Sequence, residues 1–331
     1  MRALIPVAGS GLRLSPITES KPKVLVEVAG KPVLAHILDN LLTSSIRELV
    51  LIVGYLKEQV IEWTNIEYGS HFDIHFIHQE EQLGLGHAIY TAREFLDHSE
   101  IMIVLGDEIF TRSYSEMVQS YRTMPEITGA IGIKTVDDPT HYGMVQIGPR
   151  NYITHMVEKP QLFPEKTAIA GVYYFKHGED LLSSLEFIMD ENEPLHEYQL
   201  TDALQLMINS GSIMPAFEVG DWYDCGRPET LIESNRRLLE KEHPISPLCT
   251  IINSEIIEPC YFGPGSVISN SRIGPYVSIG KNVKIEDSTM TDTILESNTV
   301  VKSVTLEGGI VSGSGVLINH IPDSEWRYLP I

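Results

Sequence analysis

Residues 3–23, ALIPVAGSGLRLSPITESKPK, hold an apolar run that breaks on a glycine-rich turn, and the fold class depends on what that break is for. Leu4 to Ala8 has strand character, and Gly9-Ser10-Gly11 follows at once. Such a turn presents backbone N–H groups to an anion, because glycine reaches φ > 0 and carries no side chain to block close approach. Arg13, Lys21 and Lys23 stand within the next residues, three cations in a chain that is otherwise acidic. Arg13 offers a bidentate clamp for oxygens and Lys23 a point charge. The segment is not a P-loop, since it lacks Gly-Lys-Ser/Thr after four spacer residues, and it lacks the third glycine of the dinucleotide fingerprint. On the residues alone two readings stand: a loop that holds polyphosphate, or a plain turn.

Outward from this stretch, to about residue 240, short apolar runs alternate with longer amphipathic ones. That is the pattern of strands joined by helices in a largely parallel sheet. RALIPVA, ELVLIVG, IHFIHQ and IMIVLGDE read as buried strands. PVLAHILDNLLTSS puts Leu34, Ile37, Leu38, Leu41 and Leu42 on one helical face, with Pro32 at its start. GHAIYTAREFLDH and SYSEMVQSYRTM read as further crossover helices. GAIGIKTV, GMVQI, YITHMVEKP and AGVYYFKH come close together and predict an antiparallel or mixed extension of the sheet, followed by helices around 195–210 and 228–242.

After EKEHPISPL helical periodicity ends. Val267, Ile273, Ile279 and Ile285 recur every six residues, and after a slip of three Ile294, Val300 and Leu306 resume the period. A hexapeptide repeat implies a parallel β-helix whose triangular coils take about three repeats each and stack their apolar corners. The division expected is a domain over 1–244 and a β-helix domain over 245–331, with His243, Pro244 and Pro247 as linker.

The 331 residues suit two domains, and 43% hydrophobic with 21% charged residues is ordinary globular composition. A formal net charge of −21 argues against nucleic acid or an anionic membrane surface as partner, since both need clustered Lys and Arg. No apolar run approaches 18 residues, and Leu4–Ala8 is too short for a secretory core, so a cytoplasmic protein is expected. Cys225, Cys249 and Cys260, spaced 24 and 11 apart, fit neither a zinc pattern nor a disulfide framework and read as reduced structural thiols.

Gly9-Ser10-Gly11-Leu12-Arg13, then Pro22-Lys23 and Gly30-Lys31-Pro32, resemble the N-terminal motif of the sugar-phosphate nucleotidylyltransferases. The resemblance runs on, in the family's order, through HQEEQLGLGHAI, LGDEIF, YGMVQI, VEKP, IAGVYYF, EYQLTDAL and WYDCGRPE, over roughly residues 1–240. The tail fits the longer glucose-1-phosphate thymidylyltransferase-like and UDP-sugar pyrophosphorylase-like members. The fold implied is a Rossmann-like, mixed but mainly parallel α/β sheet followed by a short left-handed parallel β-helix. The activity implied is transfer of a nucleotidyl group from an NTP to a sugar 1-phosphate with release of pyrophosphate. Catalysis then rests on positioning and electrostatics, supplied by Mg2+ with arginine and lysine.

Carried over residue by residue, the resemblance makes Arg13, Lys23, Asp107 and Lys159 the catalytic group. Ala8, Gly9, Ser10, Gly11, Leu12, Arg13, Gln79, Gly84 and Gly106 would bind the nucleotide. Tyr142, Gly143, Glu158, Lys159, Gly171, Val172 and Thr201 would bind the sugar phosphate, and Asp107 and Asp224 the metal. Asp107 ends a strand at the carboxyl edge of the sheet, where open α/β folds place ligands, and oxygen ligands with substrate phosphates suit magnesium. Gln79, five residues before Gly84, carries an amide that matches N3–H and O4 of uracil or thymine, with Gln82 as a competitor. That favours UTP or dTTP, with glucose 1-phosphate as the expected sugar phosphate.

The family threonine before Arg13 is Leu12 here, which removes one donor and leaves an apolar side chain to turn away and pack. Two other readings compete with pyrimidine nucleotidylyl transfer: a silent sugar-nucleotide-binding subunit, and a purine enzyme using GTP and mannose 1-phosphate. A metal-dependent glycosyltransferase with Asp107-Glu108 as its acidic pair fits less well, because it has no use for the early Arg-Lys loop. The tail reads as an oligomerisation or regulatory module, giving a homo-oligomer. His320, the one histidine after residue 250, lies beyond the clear repeats and speaks against an acyltransferase.

Overall fold

In a computed structural model that describes residues 1–190, 197–241, 245–313, 315–320 and 325–329, the chain divides into two compact units. One comprises Met1–Gly9 and Ile37–Trp222, the other Ser10–His36 and Tyr223–Ile331. The linker residues His243 and Pro244, and the side chain of His320, lie outside the described residues.

The first unit is built on nine strands: β1 (Arg2–Val7), β2 (Glu48–Val53), β3 (Asp73–His78), β4 (Ile101–Val104), β5 (Gly129–Thr135), β6 (Gly143–Ile147), β7 (Ile153–Glu158), β8 (Thr167–Phe175) and β9 (Ala216–Glu218). Their order is β7-β6-β8-β4-β1-β2-β3, with β5 paired to β8 and β9 to β5. The strands β4-β1-β2-β3 are parallel, in register from Ala3↔Leu49 and Leu49↔Ile74 onward. β8 closes on β4 antiparallel, as do β6 and β7 on each other, so the expected mixed extension is present. Central strands covered on both faces must be continuously apolar, and Ala3, Leu4, Ile5, Leu49 to Ile52 and Ile101 to Val104 are all essentially inaccessible.

The connections are α1 (Val33–Leu42), α2 (Lys57–Tyr68), α3 (Leu85–Thr91), α4 (Tyr114–Arg122), α5 (Gly178–Asp190) and α6 (Leu200–Asn209). The helix expected from 195 begins at Leu200 within the described residues and packs on β7 and α5. Two helices, α2 and α5, go beyond the sequence expectations. In α2 only Val60, Thr64 and Tyr68 are buried, a single file four residues apart, while Ile61, Trp63 and Ile66 stay outside it. α5 carries an ordinary stripe, with Leu181, Ser184 and Leu185 buried. IMIVLGDE is also not one strand. β4 stops at Val104, Leu105 N–H turns to the carbonyl of Gly171, and Glu108–Phe110 starts a separate short strand.

The second unit contains α7 (Pro228–Leu239) and a stack of short parallel strands that forms the β-helix. Its apolar columns run Ile251-Ile268-Ile285-Val301, Ile256-Ile273-Met290-Leu306 and Phe262-Ile279-Leu295-Val311. Successive members stand 17 residues apart at first and then 16, in the last step of the first two columns and the last two steps of the third. The expected eighteen is therefore corrected, and the slip in the sequence repeat marks the shortened coil. The correction moves two corner assignments. Val267 is only part-buried and Val300 faces solvent, while their neighbours Ile268 and Val301 fill the interior. Corners at Asn253, Asn270, Asp287 and Ser303 have φ between 45° and 56°. Asn and Asp tolerate that left-handed region, and the Asn270 amide donates to Asp287 of the next coil at 3.2 Å. All three cysteines are free.

Candidate functional site

In the first unit the ends of β4, β6, β7 and β8 bring together most of the residues expected around a sugar phosphate. β8 carries a bulge between Ile169 and Tyr173, and Gly171 within it has φ +71°. A Cβ there would lie 3.0 Å from both Glu108 Cγ and Leu105, so glycine lets the bulge close on the turn that bears Gly106 and Asp107. Asp107 is half-buried at that turn. Glu108, only 8% exposed, accepts a hydrogen bond from the Trp222 indole.

A second group surrounds the C-terminal end of β7. Thr201 Oγ1 donates to Glu158 Oε2 at 2.6 Å, and Lys159 Nζ stands 3.2 Å from Glu158 Oε1. Lys159 N–H donates to the Tyr142 carbonyl at 3.0 Å. A Cβ on Gly143 would sit 3.1 Å from both Glu158 Oε2 and Thr201 Oγ1, so a larger residue would push that pair apart. Burial raises the Asp202 carboxyl above its usual range, and the charge of Glu158 adds to this. The two groups are continuous: the Tyr142 ring meets Trp222 edge-on at 5.1 Å, and Trp222 is held by Glu108. Tyr173 lies beneath both. Burial above all, then the charges of Glu158 and Glu108, push its hydroxyl far up. Trp222 and Glu108 were not assigned to this site from the sequence. The only signal was their place inside the WYDCG and LGDEIF blocks.

At the other edge of the parallel strands Gln79 follows β3 and is 4% exposed. Its amide nitrogen donates to the Gly84 carbonyl at 3.2 Å and lies 3.1 Å from His87 Nδ1. Burial lowers the His87 pKa and so favours the neutral ring; an amide nitrogen can only donate, so in this contact Nδ1 is the acceptor. Both amide hydrogens of Gln79 are thus committed, so of the donor and acceptor expected for it the acceptor oxygen is what it can offer a ligand. Gln82 is also occupied, donating to the Ala8 carbonyl at 3.0 Å. A Cβ on Gly9 would meet nothing within 4 Å, so packing does not demand this glycine.

Within the second unit, Gly11 has φ +69°, and a Cβ there would lie 2.9 Å from both Lys23 Cβ and Thr18 Cγ2. Thr18 Oγ1 donates to the Gly11 carbonyl at 2.8 Å. Arg13 is exposed and Lys23 part-buried. Leu12 does not turn in to pack, contrary to expectation: it is 80% exposed. Lys21 pairs with Glu296 at 3.0 Å, which commits its ammonium away from the turn. Asp224 Oδ1 accepts from Gly226 N–H at 2.6 Å, and Oδ2 stands 3.7 Å from Arg227. Among the described residues no group of three or more His, Cys, Asp or Glu is arranged to hold a metal ion. Asp107 and Asp224 each offer a carboxylate, the hard oxygen donor taken by a cation that completes its shell with water and phosphate oxygens.

The chain matches the nucleotidyl transferase family over residues 2–241. It is 34% identical to the UTP–glucose-1-phosphate uridylyltransferase AglF of Haloferax volcanii over 244 residues, 73% of this chain and 98% of that protein. To a glucose-1-phosphate thymidylyltransferase of Streptomyces antibioticus it is 28% identical over 347 aligned positions, 98% of this chain and 96% of the other. Among solved structures, a UDP-glucose pyrophosphorylase in complex with UDP-glucose superposes with a TM-score of 0.62 at 24% identity. That match covers 73% of this chain and 99% of the other, a likeness of fold.

Proposed function

The chain belongs to the nucleotidyl transferase family, and from that premise we propose that it is a sugar-1-phosphate nucleotidylyltransferase. In this reading it transfers a nucleotidyl group from UTP or dTTP to glucose 1-phosphate. The observation that carries the proposal is the convergence of Gly143, Glu158, Lys159 and Thr201 beside the Asp107 turn. A carboxylate fixed by a hydroxyl suits sugar hydroxyls, and an ammonium beside it suits the phosphate. The relatives' uridylyl- and thymidylyltransferase activities favour a pyrimidine NTP.

In this mechanism the sugar phosphate oxygen attacks the α-phosphorus in line, and pyrophosphate leaves. Lys159 holds the attacking phosphate, Glu158 orients the sugar against the Tyr142–Trp222 wall, and Gly171 and Val172 line the floor. Gln79 accepts the N3–H of the base through its oxygen, with Gly84 close by. Ala8 to Arg13 and Lys23 hold the triphosphate, Arg13 as the clamp. Asp107 and Asp224 would hold Mg2+, which when bound offsets charge on the phosphate oxygens. The catalytic domain spans 1–244, residues 245–331 form the hexapeptide-repeat module of a homo-oligomer, and the protein works in the cytoplasm.

Pyrophosphate release from UTP, dTTP, ATP and GTP, each with glucose, N-acetylglucosamine, galactose and mannose 1-phosphates and Mg2+, tests the proposal. Turnover is expected with a pyrimidine NTP and glucose 1-phosphate, and silence with every pair in folded protein refutes it. The exposed Leu12 favours one second reading, a subunit that binds sugar nucleotides without turnover. Calorimetric binding with no pyrophosphate release would select it.

A further inference from the structure

We propose that Glu296 and Ser297, at a corner of the β-helix, are positioning residues for the loop around Gly11 and Lys23, a role that rests on the reading of this loop as the triphosphate holder. Two residues from each segment interlock. Lys21 Nζ meets Glu296 Oε2 at 3.0 Å, and the Glu27 N–H donates to Glu296 Oε1 at 3.4 Å. In return Ser297 donates to the Glu27 carboxylate twice, from its hydroxyl at 2.7 Å and its N–H at 3.2 Å. The Glu296 side chain is 5% exposed, so removing Lys21 would leave a buried charge uncompensated. A cheaper apolar contact would bury the same surface. What two carboxylates, one ammonium and one hydroxyl add is direction, since each bond fixes the segment it ends on.

The direction passes to the loop through a short stiff path. Lys21 is extended, and the Pro22 ring fixes the next φ at −57°. Lys23 then opens a 3-10 turn, closed by Leu25 N–H on Pro22 and Val26 N–H on Lys23. The Lys23 Cβ and the Thr18 methyl together fill the space beside Gly11, and the Thr18 hydroxyl donates to the Gly11 carbonyl. A shift of Lys21 off Glu296 therefore displaces the floor under Gly11 two residues later. The β-helix, in this view, sets the loop's geometry and contributes to turnover without touching substrate.

The full chain carrying Glu296→Gln or Ser297→Ala tests this. Glu296→Gln should raise the KM for the NTP about tenfold and lower kcat, with the KM for the sugar phosphate unchanged. Ser297→Ala should move the NTP KM about threefold, and Ser297→Thr should restore it. In the same variants, hydrogen exchange at the amides of Leu14, Ser15, Leu25 and Val26 should quicken about tenfold. A lowered melting temperature with both KM values and loop exchange unchanged would overturn the proposal, because a merely structural clamp gives that result. If the wild type turns over no substrate pair, the functional reading fails by itself, and the exchange rates still decide whether the corner holds the loop.

Discussion

Replacing Thr201 with valine keeps the shape of the side chain and deletes the hydroxyl that donates to Glu158 at 2.6 Å. A hydrogen bond to a charged acceptor is worth about 1.5–3 kcal/mol when its partner is stranded. Glu158 is 22% exposed, so water replaces part of the loss, and about 1–2 kcal/mol remains. At 1.36 kcal/mol per tenfold, kcat/KM for the sugar phosphate should fall about 5- to 30-fold. The assay is the initial rate of pyrophosphate release with the sugar phosphate varied at saturating NTP. Thr201→Ser, which keeps the hydroxyl, should lie within about threefold of the wild type. Gly143→Ala should produce the same selective defect by another route, since its methyl would crowd both members of the pair at 3.1 Å. An unchanged constant for the sugar phosphate, or a defect confined to the NTP, would refute the placement of the sugar phosphate at this pair.

Gly11→Ala should cost about 1–2 kcal/mol for the left-handed backbone alone, with crowding against Lys23 and Thr18 in addition; a rise in the NTP KM, read beside urea denaturation, checks it. Leu12→Thr should lower the NTP KM about threefold, one hydrogen bond's worth, with stability within about 0.5 kcal/mol; a higher KM would count against the loop's role. The Glu100 pKa is held below its ordinary 4.5 by Arg122 first and also by Tyr174, so it stabilises the fold above its unfolded pKa and loses that contribution as pH falls through the depressed folded value. Glu100→Gln should accordingly be less stable near neutrality and converge with the wild type at acid pH, as thermal melts between the two would record.

The fold was legible where physics leaves a local trace. β1, β2 and β4 are near-continuous apolar runs because both faces are covered, and the tail's period survives because each coil must stack on the last. What was lost needed a partner to be seen. α2 buries only Val60, Thr64 and Tyr68, which falls below the usual apolar stripe of a packed helix. The coil length was misread because Val267 and Val300 are as apolar as Ile268 and Val301, and only the register shows which of each pair turns inward. Coils of 17 and 16 fall short of three full hexads, so counting in sixes from one corner drifts off the stacked column.

The site divides in the same way, and the division follows sequence distance. Glu158, Thr201 and Gly143 were recoverable because each sits inside a motif block, although their contact joins residues 43 positions apart. Trp222 reaches Glu108 across 114 positions, and no property of either block announces that an indole will hold the acid beside Asp107. Lys21 is the sharper case. By composition it is one of three cations at a glycine turn, equal to Arg13 and Lys23, and charge near a turn is all a sequence can offer. The buried carboxylate of Glu296 takes up its ammonium at 3.0 Å, turning a candidate phosphate ligand into an ion-pair partner of the β-helix corner. Reading a cation's role therefore required knowing what the far end of the chain had placed beside it.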